Sequence, residues 1–290
     1  MKFAYLIMAH NNPDQLDNLL HLLDFEENEI YLHIDKKSTI LNIEEYKDCL
    51  KKASIHVYKK YKVYHADITQ TKCQTFLLAE ACKKYHDYYH LISNADLPLK
   101  SHDEIVAFFE RNKGKQFVHF ESDDFCSKET CKYYHYLFPL ICRTRGKTKN
   151  ILTSLENVLI AMQRKKGIYR KFYCGANWYS ITHELAVDFT NNYKKVLRAV
   201  RYTISSDELV LQTFLRTMST KSYDFFKHTE TPYDYSPIVR AIDWHRGNPY
   251  VWREGDYSYL VSSDFIFGRK FDSQVDEEVI KDISEYVERK

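Results

Sequence analysis

Glycine is scarce in this chain, with 7 residues in 290. Neither G-x-G-x-x-G nor G-x-x-x-x-G-K-[ST] occurs, so a glycine-rich loop that cradles phosphate is excluded. Charge of one sign is missing too: 42 Lys and Arg against 40 Asp and Glu give a net +2, and nothing in that balance demands nucleic acid. No C-x-x-C pair appears among the seven cysteines, and Cys126 and Cys131 lack a second close pair, which argues against a zinc site. The odd count and scattered positions predict reduced thiols in a cytoplasmic protein. No apolar run spans a bilayer: Phe3 to Ala9 is too short and meets His10-Asn11-Asn12-Pro13, so it reads as a core strand and not as an export signal. What is present is ordinary for a soluble globular protein, at 44% hydrophobic and 28% charged residues, with tyrosine unusually abundant at 24.

The first half alternates strand and helix. Phe3 to Ala9 is unbroken apolar, as a buried parallel strand requires. Pro13 opens a helix in which Leu16, Leu19, Leu20 and Leu23 share a face. Further strands are predicted over 29–34, 53–58, 88–93 and 116–120, with helices over 44–52 and 69–85 and another after the Ser101/Glu104 capping box. This order predicts an α/β fold with a doubly wound, mostly parallel sheet flanked by helices. Ligands collect at the carboxyl ends of such strands, where His10, Asp35, Asn94, Asp96, Glu121 and Asp123 fall. Each is also an ordinary turn residue.

The second half is less regular. Residues 126–150 are aromatic and basic, and 152–162 read as a helix ending in Arg164-Lys165-Lys166. A solvated face, an anionic membrane surface and nucleic acid all suit that pattern. Phe172 to Ile181 reads as a strand with a polar, aromatic step. Thr182 starts a helix, and 276–289 form a terminal amphipathic one. Ser205-Ser206-Asp207-Glu208 precedes Leu209 to Leu215 with capping-box spacing, so Glu208 either closes that box or, beside Asp207, supplies a catalytic carboxylate. With no repeat, low-complexity stretch or linker, the chain is one domain.

Seven segments in order, AYLIMAH (4–10), IYLHIDKKS (30–38), HLISNADLPLKS (90–101), CGANWYSIT (174–182), SSDE (205–208), RAID (240–243) and FGRKFD (267–272), together resemble the core-2/I-branching glycosyltransferases, which include β-1,6-N-acetylglucosaminyltransferases and peptide O-xylosyltransferases. The likeness runs nearly end to end but is thin over 121–170 and 217–237, which leaves the acceptor open. The resemblance implies a GT-A-like fold, with 1–120 as nucleotide-binding half and 121–290 as acceptor and catalytic half. It implies inverting transfer from a UDP-sugar to a hydroxyl of a glycan or lipid-linked oligosaccharide. No cofactor and no divalent metal are expected. The animal members' membrane anchor and disulfides are not seen in the sequence, which points to a soluble, bacterial-type relative with at most peripheral membrane contact and no nucleic-acid partner.

By this resemblance Glu208 is the base, and Arg240 and Lys270, with Arg269 beside them, hold the donor diphosphate in place of a metal. Ala9, His10 and Asp35 line the nucleotide pocket, Asp35 accepting the uracil N–H. Glu121, Asn177, Trp178 and Asp96 face the acceptor, with Trp178 offering an apolar surface for a sugar or serving as plain core. Most GT-A enzymes hold Mn²⁺ with D-x-D. None occurs here, but Glu121-Ser122-Asp123 keeps a metal-dependent alternative open.

Overall fold

The computed structural model describes residues 1–122, 132–229 and 233–289. Strands β1 (Phe3–Ala9), β2 (Asn28–Ile34), β3 (Ser54–Tyr58) and β4 (Tyr88–Ser93) alternate with helices α1 (Pro13–Leu22), α2 (Ile43–Tyr46) and α3 (Ile68–Ala81). Then come β5 (Asp96–Pro98), α4 (His102–Arg111), α5 (Phe138–Ile141), α6 (Gly146–Lys165), β6 (Ser180–Thr182), α7 (His183–Ala199) and α8 (Val210–Thr217). The chain closes with β7 (Arg240–Ile242), α9 (Tyr257–Ser262), β8 (Phe267–Arg269) and α10 (Glu278–Glu288).

The main sheet has the order β3-β2-β1-β4-β6, parallel except for β6, which runs antiparallel to β4. Alternate side chains of β1 serve opposite faces. Phe3, Tyr5 and Ile7 pack with residues of α1, α4 and α10, while Ala4 and Leu6 pack with residues of α3, α7 and α8. Burying each Leu- or Phe-sized side chain contributes roughly 1.5–3 kcal/mol, so a strand buried on both faces is the natural centre of the fold. The result is the mixed α/β, mostly parallel, helix-flanked single domain that the alternation implied, consistent with a GT-A-like fold. A second sheet, β5-β8-β7, sits at the carboxyl end of β4.

Two expected strands shrink. Residues 116–120 make only isolated bridges: Phe117 exchanges bonds with Ser180 (2.9 and 3.1 Å), and Gln116 with Asp224 and Phe226 (2.7 and 3.0 Å). Each residue pairs in a different direction, so no ladder extends. The strand expected over 172–181 keeps only its last part, β6. At Gly175 the backbone lies so close to residue 119 that an added Cβ would stand 1.9 Å from the His119 carbonyl oxygen. That approach needs glycine and breaks strand regularity. The helix expected over 44–52 is a single turn, while the Ser101/Glu104 capping box is present as expected.

Candidate active site

The strand order reverses between β1 and β4, and the crevice beyond their carboxyl ends is where a ligand is expected. The Ala9 carbonyl accepts the Asp35 N–H at 2.8 Å, which fixes the two loops side by side. Asp35 is buried, and its Oδ1 accepts the N–H groups of Lys37 (2.8 Å) and Val63 (3.4 Å). The Lys37 ammonium lies 3.5 Å from Oδ2 and 4.3 Å over the Tyr64 ring. Asp35 therefore clasps its own turn, with Oδ2 the less committed oxygen. His10 is exposed at the end of β1. Its pKa is lowered, first by desolvation, with Asp35 opposing and the charges of Lys37, Lys270 and Arg269 adding to the lowering. One histidine thus reports three cations converging beside the switch point. Among them the half-buried Lys270 ammonium has no hydrogen bond or ion pair among the described residues, whereas Arg269 donates to Ser93 Oγ (2.6 Å) and Asp96 Oδ2 (2.9 Å).

The acidic candidates lie on the 3₁₀ turn Ser206–Glu208. The expected capping box does not form. Ser205 adopts the left-handed conformation (φ 51°), its N–H bound to the Ala66 carbonyl at 2.9 Å, and the next three residues make a 3₁₀ turn without a side-chain cap. A tertiary contact therefore overrides the local signal. Asp207 is buried, and its Oδ2 accepts amide N–H groups from Gln70 (2.8 Å) and Asn177 (3.0 Å). Glu208 is exposed, and its carboxylate has no hydrogen-bond or ion-pair partner among the described residues. Both acids are shifted upward, each chiefly by desolvation; for Glu208 the charges of Asp207 and then Glu121 add to this. Water reaches Glu208 and screens part of that penalty. An open carboxylate with a raised pKa and no partner is suited to take a proton.

Glu121 follows the 116–120 segment, its N–H bonded to the Cys174 carbonyl at 2.8 Å. His119 Nδ1 accepts the Ala176 N–H at 3.0 Å, so the ring proton sits on Nε2, 4.0 Å from Glu121 Oε1. Burial lowers the His119 pKa to about 4, which keeps it neutral. The Tyr235 hydroxyl is pushed up by burial first and then by Glu121 and Glu208, which places it with this acidic group. Sequence reasoning missed His119, Tyr235, Gln70 and Lys37. Lys37 lies inside a matching segment, but Tyr235 falls in a stretch of thin likeness and Gln70 inside a plain helix, so only tertiary structure reveals them. Among the described residues no group of three or more His, Cys, Asp or Glu side chains forms a metal-binding arrangement.

Several expected placements change. Arg240 is 0% exposed: its guanidinium donates to the carbonyls of Ile238 (2.6 Å), Tyr179 (2.9 Å) and Leu91 (3.2 Å), tying the start of β7 to β4 and the start of β6. It is committed to backbone oxygens, where an open cation was expected. Asp96 is also fully buried and accepts from Ser93 and Arg269, so it braces β5 and β8 where an acceptor-facing carboxylate was expected. Trp178 is 7% exposed with the Arg269 guanidinium 4.3 Å over its ring, a wall element and not an open platform. Asn177 positions Asp207 instead of facing outward alone. Asp123, Cys126 and Cys131 lie outside the described residues. Cys174 is disulfide-bonded, against the expectation of reduced thiols, while Cys49, Cys73, Cys82 and Cys142 are free.

Trp178 and Asn177 are adjacent, so the links Lys270–Arg269–Trp178–Asn177–Asp207–Glu208 join the cationic wall to the acidic one. With this geometry, residues 3–259 match the model of the core-2/I-branching enzyme family. The chain belongs to the core-2/I-branching enzyme family. Relatives include β-1,3-galactosyl-O-glycosyl-glycoprotein β-1,6-N-acetylglucosaminyltransferases: one from Bos taurus is 22% identical over 312 residues, covering 99% of this chain and 70% of its own length. One from Homo sapiens is 21% identical over 317 residues with the same coverage, and a fourth-type enzyme from Danio rerio is 20% identical over 311 residues, again covering 99% and 70%. Membership supports glycosyltransferase activity on glycans, which implies a sugar donor and a glycan acceptor. Among the described residues no helix of this core-2/I-branching enzyme is long and apolar enough to cross a membrane.

Proposed function

We propose that this core-2/I-branching enzyme is an inverting glycosyltransferase that moves a sugar from a UDP-sugar to a glycan hydroxyl without a divalent metal. The observation that carries the reading is a Glu208 carboxylate without a partner among the described residues, joined through Asp207, Asn177 and Trp178 to Arg269 and the uncommitted Lys270 ammonium next to it. Glu208 takes the proton of the acceptor hydroxyl as that oxygen attacks the anomeric carbon. The bond from that carbon to the diphosphate oxygen breaks on the opposite face, and its electrons leave with UDP. Lys270 stands where that charge grows and offers three donors without competing partners; such preorganised charge is worth most in a partly dry site. Asp35 Oδ2 receives the uracil N–H. Asn177 and Gln70 fix Asp207, whose charge keeps Glu208 basic, and Glu121 holds the acceptor sugar next to it.

The family names favour N-acetylglucosamine as the sugar, with xylose and glucuronic acid as the alternatives to test. A panel of UDP-sugars is assayed for binding and slow donor hydrolysis, with and without EDTA. Turnover of one donor that survives chelation is expected. Loss of all turnover in EDTA, restored by Mn²⁺, would reject the metal-free reading and turn attention to Glu121.

A further inference from the structure

Helix α6 faces the wrong way for a helix packed on a core. The two residues it buries fully are polar, Glu156 and Gln163. Glu156 Oε2 accepts the Leu137 N–H at 2.7 Å, and Gln163 exchanges two bonds of 2.9 Å with the backbone of Tyr134. Its outer stripe is apolar: Ile151, Leu155, Val158 and Met162 are 61, 51, 57 and 49% exposed. Their spacing of 4, 3 and 4 residues puts them in one row. Lys147 and Lys165 continue that row at its two ends, four residues before Ile151 and three after Met162, and both are exposed. Leu140, Ile168 and Tyr169 extend the exposed apolar surface at 51, 44 and 68%.

Charge says what covers it. Residues 143–171 hold nine Lys and Arg and one Glu, and that Glu faces inward. With 42 basic and 40 acidic residues in the whole chain, 33 basic and 39 acidic remain elsewhere, so this element is strongly positive on an otherwise acidic protein. A second copy of α6 would set lysines against lysines, and a four-residue seam is too short for a stable coiled coil. An anionic bilayer satisfies both features: the stripe enters the acyl boundary while the terminal lysines reach the phosphate level.

We propose that α6 is an interfacial helix that docks the enzyme on an anionic lipid bilayer. The helix is joined to the catalytic side. Arg143, just before it, donates to Asp67 at 2.5 Å and lies 5.0 Å over the Tyr64 ring. The neighbouring Ala66 carbonyl holds Ser205 at the start of the catalytic turn. Docking through α6 therefore fixes the height of the cleft above the bilayer, which suits an acceptor anchored in lipid.

The test is flotation of the full-length protein with phosphatidylcholine vesicles and with vesicles also containing phosphatidylglycerol, at low and high salt. Two double variants are compared, Leu155→Glu with Val158→Glu, and Lys147→Glu with Lys165→Glu, after checking that each melts like the wild type. The expected result is binding to the phosphatidylglycerol vesicles only, weakened by salt, and reduced roughly tenfold or more in both variants. Donor hydrolysis in solution stays unchanged. Absence of binding, equal binding to both vesicles, or variants that bind like wild type would overturn the proposal. So would a lipid-free dimer that the Leu155→Glu, Val158→Glu variant converts to monomer, which would assign the stripe to a second copy.

Discussion

Replacing Arg240 by Met separates a buried brace from a donor ligand. The guanidinium has three carbonyl acceptors, on Ile238, Tyr179 and Leu91, and stands 5.1 Å over the Phe267 ring. Burial lowers its pKa to about 10, with Asp96 opposing, so the group is strongly desolvated yet still charged at neutral pH. Each hydrogen bond from a charged donor contributes about 1.5–3 kcal/mol. Met avoids the several kcal/mol needed to bury a charge but takes the guanidinium from three carbonyls, of which Tyr179 keeps the Leu91 N–H, so the net loss is about 3 kcal/mol. For a domain of this size that lowers Tm by about 5 °C. Arg240→Lys should fall similarly, since one ammonium cannot span three carbonyls held on separate segments. Donor affinity, measured below the melting range, should change less than about twofold for either variant, because the guanidinium is already committed to backbone carbonyls. A Met variant with unchanged Tm and donor affinity weakened tenfold would refute the argument, and rescue of that affinity by Lys would confirm the refutation.

Gly175→Ala should unfold part of the cleft, because the new Cβ would stand 1.9 Å from a backbone oxygen and 2.8 Å from Gln212 Nε2; thermal melting should show a loss of more than about 2 kcal/mol. Asp35→Asn keeps an acceptor for the turn but loses the charge opposite Lys37; UDP binding by calorimetry should weaken while the rate at saturating donor holds, and unchanged affinity would return Asp35 to a turn role. The raised Glu208 pKa gives two pH dependences. Between the ordinary glutamate value of 4.5 and the raised value, the native state holds a proton that the unfolded chain releases, so this group's contribution to stability falls as pH rises through that window. Transfer by an ionised base rises over the same window. Glu208→Gln should flatten the fall in stability, and a Gln variant whose melting still tracks pH like the wild type would count against the shift.

Residues 1–120 were legible because their signals are local. β1 is apolar throughout and buried on both faces, and Ser101 and Glu104 close their cap as the spacing implies. Asp35 and His10 follow from strand ends alone. The other half was less so, for three physical reasons. The Ser205 cap signal loses to a single hydrogen bond that the Ser205 N–H donates to the Ala66 carbonyl. Arg240 reads as a diphosphate ligand by resemblance until three carbonyls, two of them distant in the chain, are folded around it. In α6 the helix is legible, but nothing local tells that its apolar row faces out and that Glu156 faces in. Trp178, left open between core and platform, is decided by Arg269, which reaches it through a strand 91 residues further along the chain.

The central claim is that Glu208 is the base of a transfer reaction, and the direct measurement is the transfer rate of Glu208→Gln beside Asp207→Asn. Gln keeps the shape, and no cap is lost because none exists. It removes the proton acceptor and the repulsion from Asp207 and Glu121. The expected result for Glu208→Gln is a fall in kcat of roughly 10²-fold or more, with donor affinity unchanged and Tm at mildly alkaline pH unchanged or higher. Asp207→Asn should lose less, since it acts through its neighbour. A Glu208→Gln variant that transfers sugar near the wild-type rate, or a loss confined to Asp207→Asn, would contradict it.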